Sequence, residues 1–494
     1  MTLLVDPGKP WRWILLLAER LVRAGVAVEV RLADGPGLSL PYRMLDLVET
    51  TLHGGPPERL QDLVPVSAFA PFRTHASVGG AVLDLTGSAG SCTGQPGRRA
   101  LVPLFDGSSC CDAALAALAE GRRPVLGVRE GDRTLVSFPS AIDDITVVSR
   151  ALDQMFARVA TLCFDILMGW RPQPAAGLPD VAAACGTIAP PAALMHIVRH
   201  AATKLTDRLT GLLSRPDHWR VGWRKAQGQG LWDTGTWEGE AFSILPDDGR
   251  RYFADPFPVA AQGRRFVFVE EYPYATGKGV ISVAEVREDG TAGPCKVIID
   301  QPYHMSYPQV FAWGTDHWMI PETTANRTVE LWRADAFPDR WSRHAILLDD
   351  IAAADATVFF DGNRWWMLAS VAPDRGSAGD ALHAWYADVP SGPWCMAGRG
   401  PVLLDARCAR PGGAMRVQSG RWWRPAQDNA AQYGGAIAVC RVDRLDPDGG
   451  FQQTVCRQIL PPAGYDGFHT LNIGGGLEVV DLCGPRPRFN RGFA

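Results

Sequence analysis

The sequence has no excess of basic charge. Its 49 Lys and Arg stand against 53 Asp and Glu, for a formal net charge of −4. A nucleic-acid binder shows a basic face or stripe, whereas short pairs such as Arg122-Arg123 read as solvated surface, so no nucleic-acid partner is expected. Nor is there a run apolar enough for a bilayer. The most apolar stretch, Ala151 to Trp170, carries Asp153, Arg158 and Asp165 and reads as an amphipathic helix, so no membrane span is expected. The start, MTLLVDPGKPW, lacks a basic n-region and a cleavage site, which predicts no secretory leader. The eleven cysteines are odd in number and irregular in spacing, with Cys110 and Cys111 adjacent and no CxxC pair. That excludes a zinc knuckle and points to reduced thiols in a cytoplasmic protein. No G-x-G-x-x-G supports a dinucleotide loop.

What is present falls into three regimes. The 494 residues, 46% of them hydrophobic, allow two or three domains. Residues 1–148 alternate helical and strand patterns: helices over 14–24, 41–52 and 112–120, strands over 26–32, 81–86 and 124–128. This predicts an α/β domain with a mostly parallel sheet. Asp84, Thr86 and Asp106 fall near the carboxyl edge of that sheet, where such folds place ligands. Residues 149–218 read as a helical connector, interrupted by a loop rich in Pro, Ala and Gly over 172–191. In it Leu194, Ile197, Ala201, Leu205, Leu209 and Leu212 form one apolar helical face.

Residues 219–494 are dense in aromatics and contain repeats. ADPFPVAAQGRRFVFVEE from Ala254, YPQVFAWGTDHWMIPE from Tyr307 and DATVFFDGNRWWMLAS from Asp355 share one pattern: a polar start, an apolar strand, a turn and a second strand. RPGGAMRVQSGRWWRPAQD from Arg410 and YDGFHTLNIGGGLEVVD from Tyr465 are looser copies. A spacing of about fifty residues is the length of a four-stranded blade, and radial repetition of such sheets gives a β-propeller. In a propeller the starts of the innermost strands converge on a central funnel. Asp255, Asp355 and Asp466, the last close to His469, open their repeats; Glu270 or Glu271, Glu322 and Asp428 close the next strand. Glycosidic cleavage usually needs two carboxyl groups flanking the bond, and an acid works near neutral pH only where its surroundings raise its pKa. Asp255, Asp355 and Glu322 are therefore the candidate catalytic groups. Glu271, Asp428, Asp466 and His469 are candidate substrate contacts. Arg410 and Arg424 are as well, because a planar guanidinium fork suits a phosphate. His469 is also a candidate ligand for a divalent cation.

At ADPF and DATVFFDGNRWWML the region from about Arg220 to Asp481 resembles the five-bladed propellers of the arabinanase, xylosidase, invertase and levansucrase group. The resemblance implies a base or nucleophile at Asp255 and a transition-state-stabilising or pKa-tuning role for Asp355. The group's proton donor is a Glu in blade four. Here Arg410-Pro411-Gly412 opens that blade, and Glu322, on blade two, is the nearest substitute acid. The motifs IPET, RPAQD and GFHTLN resemble the propeller domain of plant glucosamine inositolphosphorylceramide transferases. The strand AVLDLTG and the later LFDG are similar to a Rossmann-like formyltransferase domain. No His near LFDG or in SLPYR matches that family's working constellation, so formyl transfer is not expected. The expected function is a carbohydrate-active enzyme working at a glycosidic centre on a sugar or nucleotide sugar. The missing blade-four acid favours transfer from an activated donor. Hydrolysis by paired carboxylates and a non-catalytic sugar-binding propeller are the alternatives.

Overall fold

The computed structural model describes residues 1–53, 58–73, 80–88, 98–172, 191, 194–199, 202–204, 206 and 214–487. Most of the loop expected over 172–191 and of the apolar helical face expected over 193–213 lies outside the described residues. The chain divides into two compact units: Met1–Leu205 with Pro373–Ser377, and Thr206–Ala372 with Ala378–Ala494.

The first unit is built on six strands: β1 (Thr2–Val5), β2 (Glu29–Leu32), β3 (Val82–Asp84), β4 (Ala100–Phe105), β5 (Val125–Glu130) and β6 (Arg133–Pro139). Their order is β2-β1-β3-β4-β5-β6. The first four are mutually parallel, and β5 and β6 extend the sheet antiparallel. Helix α1 (Arg12–Arg23) buries Trp13, Ile14, Leu17, Ala18 and Leu21, the i, i+3, i+4 stripe of a helix laid on a core. Helices α2 (Leu40–His53), α3 (Asp112–Ala119) and α4 (Val148–Leu167) follow. Helix α4, which the sequence suggests is a connector, packs against α1, α2, β4 and β5 within this unit. The reason is its burial: Leu152, Met155, Phe156, Val159, Leu162 and Ile166 are all inside, a face too apolar to leave in water.

The second unit is five antiparallel sheets. Blade 1 comprises Arg251–Ala261, Arg264–Pro273, Val280–Val286 and Lys296–Ile299. Blade 2 comprises Ser306–Trp313, Asp316–Thr323, Thr328–Ala336 and Arg340–Asp349. Blade 3 comprises Ala353–Phe360, Trp365–Val371 and Ala381–Ala387, with the short strands Cys395–Met396 and Leu403–Leu404 both pairing the last of these. Blade 4 comprises Arg416–Gln418, Arg421–Asp428, Ala436–Leu445 and Phe451–Ile459. Each sequence repeat is the inner hairpin of one blade. In blade 1 the two strands turn through Gln262 and Gly263, both at positive φ (53° and 76°), the two-residue turn whose twist matches the strands it joins.

Blade 5 is made from both ends of the unit. Leu471–Gly474 and Leu477–Pro487 pair with Ser214–Lys225 and then Ser243–Ile244. The first propeller strand in sequence is therefore the third strand of the last blade, and closing the ring leaves no open edge between first and last blades. The seam carries a buried ion pair: Arg224 donates through Nε to Glu478 Oε2 at 2.7 Å, with Nη2 at 2.6 Å. Glu478 Oε1 also takes the Trp232 N–H at 3.3 Å. Removing one partner leaves the other charge buried, so Glu478→Ala should cost about 3–5 kcal/mol of stability in urea denaturation. Arg224→Met with Glu478→Leu should cost much less. Equal losses in the two variants would show that the pair is not what holds the seam.

Candidate functional site

The inner strands of blades 1 to 3 share a backbone device. Asp255, Tyr307 and Asp355 occupy the same point of their blades, and all three are left-handed, with φ of 51°, 46° and 54°. Beside each, the strand register slips: between Phe268 and Glu270, between Ser306 and Gln309, and between Ala354 and Thr357. A bulge of this kind re-aims a side chain, and a non-glycine residue at positive φ persists only where its surroundings hold it. Here carboxylates do the holding. Asp481 Oδ2 accepts the Asp255 N–H at 3.0 Å, Asp255 Oδ2 accepts the Tyr307 N–H at 3.2 Å, and Glu322 Oε2 accepts the Asp355 N–H at 3.1 Å.

These braces gather acids from several blades. Asp255 Oδ1 takes the Thr470 hydroxyl at 2.8 Å. Asp355 Oδ2 takes Arg410 Nε at 2.6 Å and Gln427 Nε2 at 2.7 Å. Arg410 also reaches Glu322 Oε2 at 3.6 Å, and its guanidinium lies 5.2 Å from the centre of the Tyr433 ring. Burial, opposed by His469 and reinforced by Asp355 and Asp481, lifts Asp255 to about 6. Burial first, and then the charge of Asp355, lift Glu322 well above the usual carboxylate range, against the pull of Arg410. Asp255, Asp355, Glu322, Arg410 and His469 are thus in one electrostatic cluster.

The cluster has two further members: Glu270, which the sequence leaves open against Glu271, and Asp481, which the sequence reading does not name as a site residue. Glu270 is buried and lifted well above its ordinary value, first by burial and then by Asp255 and Glu322. Its Oε1 accepts no hydrogen bond among the described residues; His304 Nε2 lies 3.4 Å away without the alignment of a bond. Gly279 leaves room for it, because a Cβ there would sit 2.7 Å from Glu270 Oε1 and 2.5 Å from the Met305 carbonyl. Asp481 accepts the backbone N–H of His469 at 3.0 Å and of Thr470 at 2.9 Å and pairs with His469 Nδ1 at 2.7 Å. Asp481 is the last letter of the fifth repeat, at the point where Glu322 closes the second, so the repeat held its signal.

The other expected contacts are engaged elsewhere. Glu271 faces away from Glu270, as alternate strand residues must; it bonds the Ser282 hydroxyl at 2.7 Å and pairs with Arg251. Arg424 is fully buried and binds the carbonyls of Cys408 and Ala409 and Gln453 Oε1, which holds the segment that presents Arg410, while its Nη1 meets no acceptor among the described residues. Asp428 bonds Gln458 Nε2 at 2.5 Å and the Ala430 N–H at 2.9 Å. Asp466 is solvent-exposed.

His469 is stacked on Trp219 with ring centres 3.9 Å apart and meets Tyr433 edge-on at 5.5 Å. Burial alone would lower its pKa; Asp481 and Asp255 outweigh this and raise it. Ligand atoms of Asp255, His469 and Asp481 lie within 4.8 Å of one another, a spacing a divalent cation can use. Both Asp481 oxygens already accept N–H groups, and a cation would have to displace the proton on His469 Nδ1. Chemically, the cluster offers a carboxyl that ionises near pH 6, two that stay protonated above the usual range, and a guanidinium for an anionic group.

Three comparisons bear on this geometry. Residues 247–457 match the family model described as glucosamine inositolphosphorylceramide transferase 1, N-terminal. The chain is 30% identical over 198 residues to glucosamine inositolphosphorylceramide transferase 1 of Oryza sativa subsp. japonica, covering 39% of this chain and 26% of that protein. It is 27% identical over 201 residues to the Arabidopsis thaliana protein of the same name, covering 40% and 26%. The chain therefore spans about a quarter of the length of the curated relatives it matches. Among solved structures it is similar to a family 117 glycoside hydrolase of Zobellia galactanivorans, at 12% identity and a TM-score of 0.36, covering 54% of this chain and 90% of that one. It is also similar to an α-L-arabinofuranosidase of Podospora anserina, at 12% identity and a TM-score of 0.36, covering 49% and 94%. The stretch matching the transferase model runs from just before blade 1 through blade 4, and so includes Asp255, Glu270, Glu322, Asp355 and Arg410.

Proposed function

We propose that the propeller is a carbohydrate-active enzyme that transfers a sugar from an activated, anion-bearing donor. The observation that carries this reading is the convergence of Asp255, Glu270, Glu322 and Asp355 in one electrostatic cluster, with Arg410 against Asp355 and Glu322. Asp255 is the base, since its surroundings let it ionise near pH 6. Glu270 is the acid, since it keeps its proton above the carboxylate range and has a free oxygen. Acid and base with pKa values pushed apart is the pattern general acid–base catalysis needs. Arg410 meets the donor's anionic group, and Asp355 and Glu322 hold Arg410 in place. The relatives are transferases by name, which supports the first reading.

The raised pKa of Glu270 favours a second reading, glycoside hydrolysis, in which the leaving oxygen needs a proton. A thermal-shift screen separates them: nucleotide sugars should raise the melting temperature by mass action, and aryl glycosides should do so only if hydrolysis is the activity. A divalent cation at Asp255, His469 and Asp481 is compatible with either reading and would bind more tightly as pH rises and the imidazolium gives up its proton. The first unit, on this reading, is a degenerate Rossmann-like, formyltransferase-like domain in an intracellular enzyme.

Three outcomes check the assignment. Asp255→Asn should lower kcat on the order of a thousandfold. The raised Asp255 pKa favours folding only while the carboxyl is protonated, a contribution complete below about pH 4 and lost as pH rises through about 6. The neutral Asn variant should therefore melt no lower than the wild type at pH 7; full activity in it would remove Asp255 from the mechanism. Glu270→Gln should lose about a hundredfold or more on donors with poor leaving groups and little on donors whose leaving group needs no proton. An equal loss on both would make Glu270 structural. Finally, kcat/KM should rise with pH through about 6 as Asp255 ionises and fall on the alkaline side, with Glu270→Gln lacking the alkaline fall; a profile flat between pH 5 and 8 on a competent donor contradicts the pairing.

A further inference from the structure

Glu270 is approached by one side chain that the reaction above leaves unused. His304 lies on the connection between blade 1 and blade 2, after Lys296–Ile299 and before Ser306–Trp313. That connection is tied to the residues just ahead of Val280–Val286. Lys278 Nζ donates to Asp300 Oδ1 at 2.5 Å and to the Gln301 carbonyl, and the Met305 N–H donates to the Gly279 carbonyl at 3.1 Å. The imidazole is held against Gly279, whose N–H donates to His304 Nδ1 at 2.9 Å. Its other nitrogen, Nε2, lies 3.4 Å from Glu270 Oε1, the buried oxygen that accepts no hydrogen bond among the described residues. The fit needs glycine at 279, since a Cβ there would sit 2.7 Å from both His304 Cε1 and Glu270 Oε1.

The backbone contact decides where the ring proton sits. A neutral imidazole carries one N–H, and a nitrogen that accepts a hydrogen bond is the one without it. Burial first, and then the Lys278 ammonium, lower the His304 pKa, so the ring is neutral at pH 7. Nδ1 accepts from Gly279; the proton is therefore on Nε2, on the side of Glu270 Oε1. A proton on Oε1 would set two hydrogens against each other across that contact. The contact is long and out of line, as bonds to catalytic groups often are before the reactants arrive.

We propose, resting on Glu270 as the acid of the reaction above, that His304 is a positioning residue whose Nε2–H occupies Oε1 and confines the acid's proton to Oε2. In the step, the incoming oxygen bonds to the anomeric carbon as the bond to the leaving oxygen breaks, and that electron pair goes to the leaving oxygen. The Oε2–H bond breaks and its proton passes to the same oxygen. Glu270 is left as a carboxylate, and the Nε2–H bond to Oε1 becomes charge-assisted. His304 keeps its own proton throughout, because its Nδ1 is taken by the Gly279 N–H and has no lone pair left to accept another. It orients the acid and does not relay protons to it.

The test takes two spectroscopic readings of the full chain at pH 7. The first is NMR of protein labelled at the histidine nitrogens, with the His304 signals identified as those missing from His304→Leu. They should show a bare Nδ1 and a protonated Nε2; a proton on Nδ1, or an imidazolium, overturns the proposal. The His304 side chain is 35% exposed, so substitution there should leave the fold intact. The second reading is infrared, where the Glu270 carbonyl band is the one lost in Glu270→Gln. His304→Leu removes a donor to that carbonyl and should shift the band to higher frequency. His304→Gln, whose amide N–H reaches the place of Nε2, should return it toward the wild-type position, whereas a purely structural role would give the same band in both variants. A Glu270 band unmoved in His304→Leu overturns the positioning role and leaves Glu270 as the acid. No band lost in Glu270→Gln means that Glu270 is ionised, which removes the acid and the proposal with it. Should His304→Leu fail to fold, His304→Gln supplies the NMR assignment and the wild-type tautomer decides: Nε2–H supports the role, Nδ1–H refutes it.

Discussion

Four buried carboxyl groups and the half-buried Glu322 share one guanidinium and one imidazole at the centre of the propeller, and the rest of the site follows from that imbalance. Asp255, Glu270, Glu322, Asp355 and Asp481 are drawn from four blades; Arg410 lies against Asp355 and His469 against Asp481. Like charges at short range in a poorly solvated site cannot all ionise. Burial and mutual repulsion therefore fall hardest on the two groups farthest from full compensation, Glu270 and Glu322, and both are pushed up. A site made this way contains acid and base together without any residue type other than carboxylate supplying the proton.

The same carboxylates are structural. Each left-handed residue at an inner-strand start has its N–H taken by an acid from the preceding blade or from its own ring neighbour. The strain at Asp255, Tyr307 and Asp355 and the presence of acids beside them are one arrangement: the bulge points the side chain inward, and the acid that tolerates burial does so partly because it satisfies a backbone donor. Tyr307 shows the device without an acid at the bulge. Its hydroxyl accepts the Gly413 N–H at 2.8 Å and lies 2.9 Å from Thr357 Oγ1, joining blades 2, 3 and 4 where a carboxylate would only have added charge.

Much of this was legible in the sequence because a repeat fixes equivalent positions. Asp255 and Asp355 open their copies and Glu322 closes its own, and the hairpins fall where the repeats place them. What stayed hidden has physical causes. Glu270 and Glu271 are adjacent, and a two-residue period cannot say which one faces the cluster until the phase of the strand is known; Glu271, the expected contact, faces Ser282 and Arg251. Arg424 carries the same guanidinium as Arg410, but only packing shows that its Nε and Nη2 are taken by Gln453 and by the Cys408 and Ala409 carbonyls. Ring closure pairs segments more than 250 residues apart, Arg224 with Glu478 among them, and nothing local marks such a partner. Helix α4 had the pattern of a packed helix, and that pattern does not name the surface it packs on.

Glu270 and Glu322 hold their protons well above the ordinary carboxylate range because burial and the neighbouring acids outweigh the cations around them. Infrared difference spectroscopy of the full chain during a pH titration reads the protonated carboxyl band directly. The account predicts that this band persists at pH 7, weakens in Glu270→Gln and in Glu322→Gln, and disappears in the double variant. A band fully lost by pH 5 in the wild type, or one unchanged in the double variant, would contradict it.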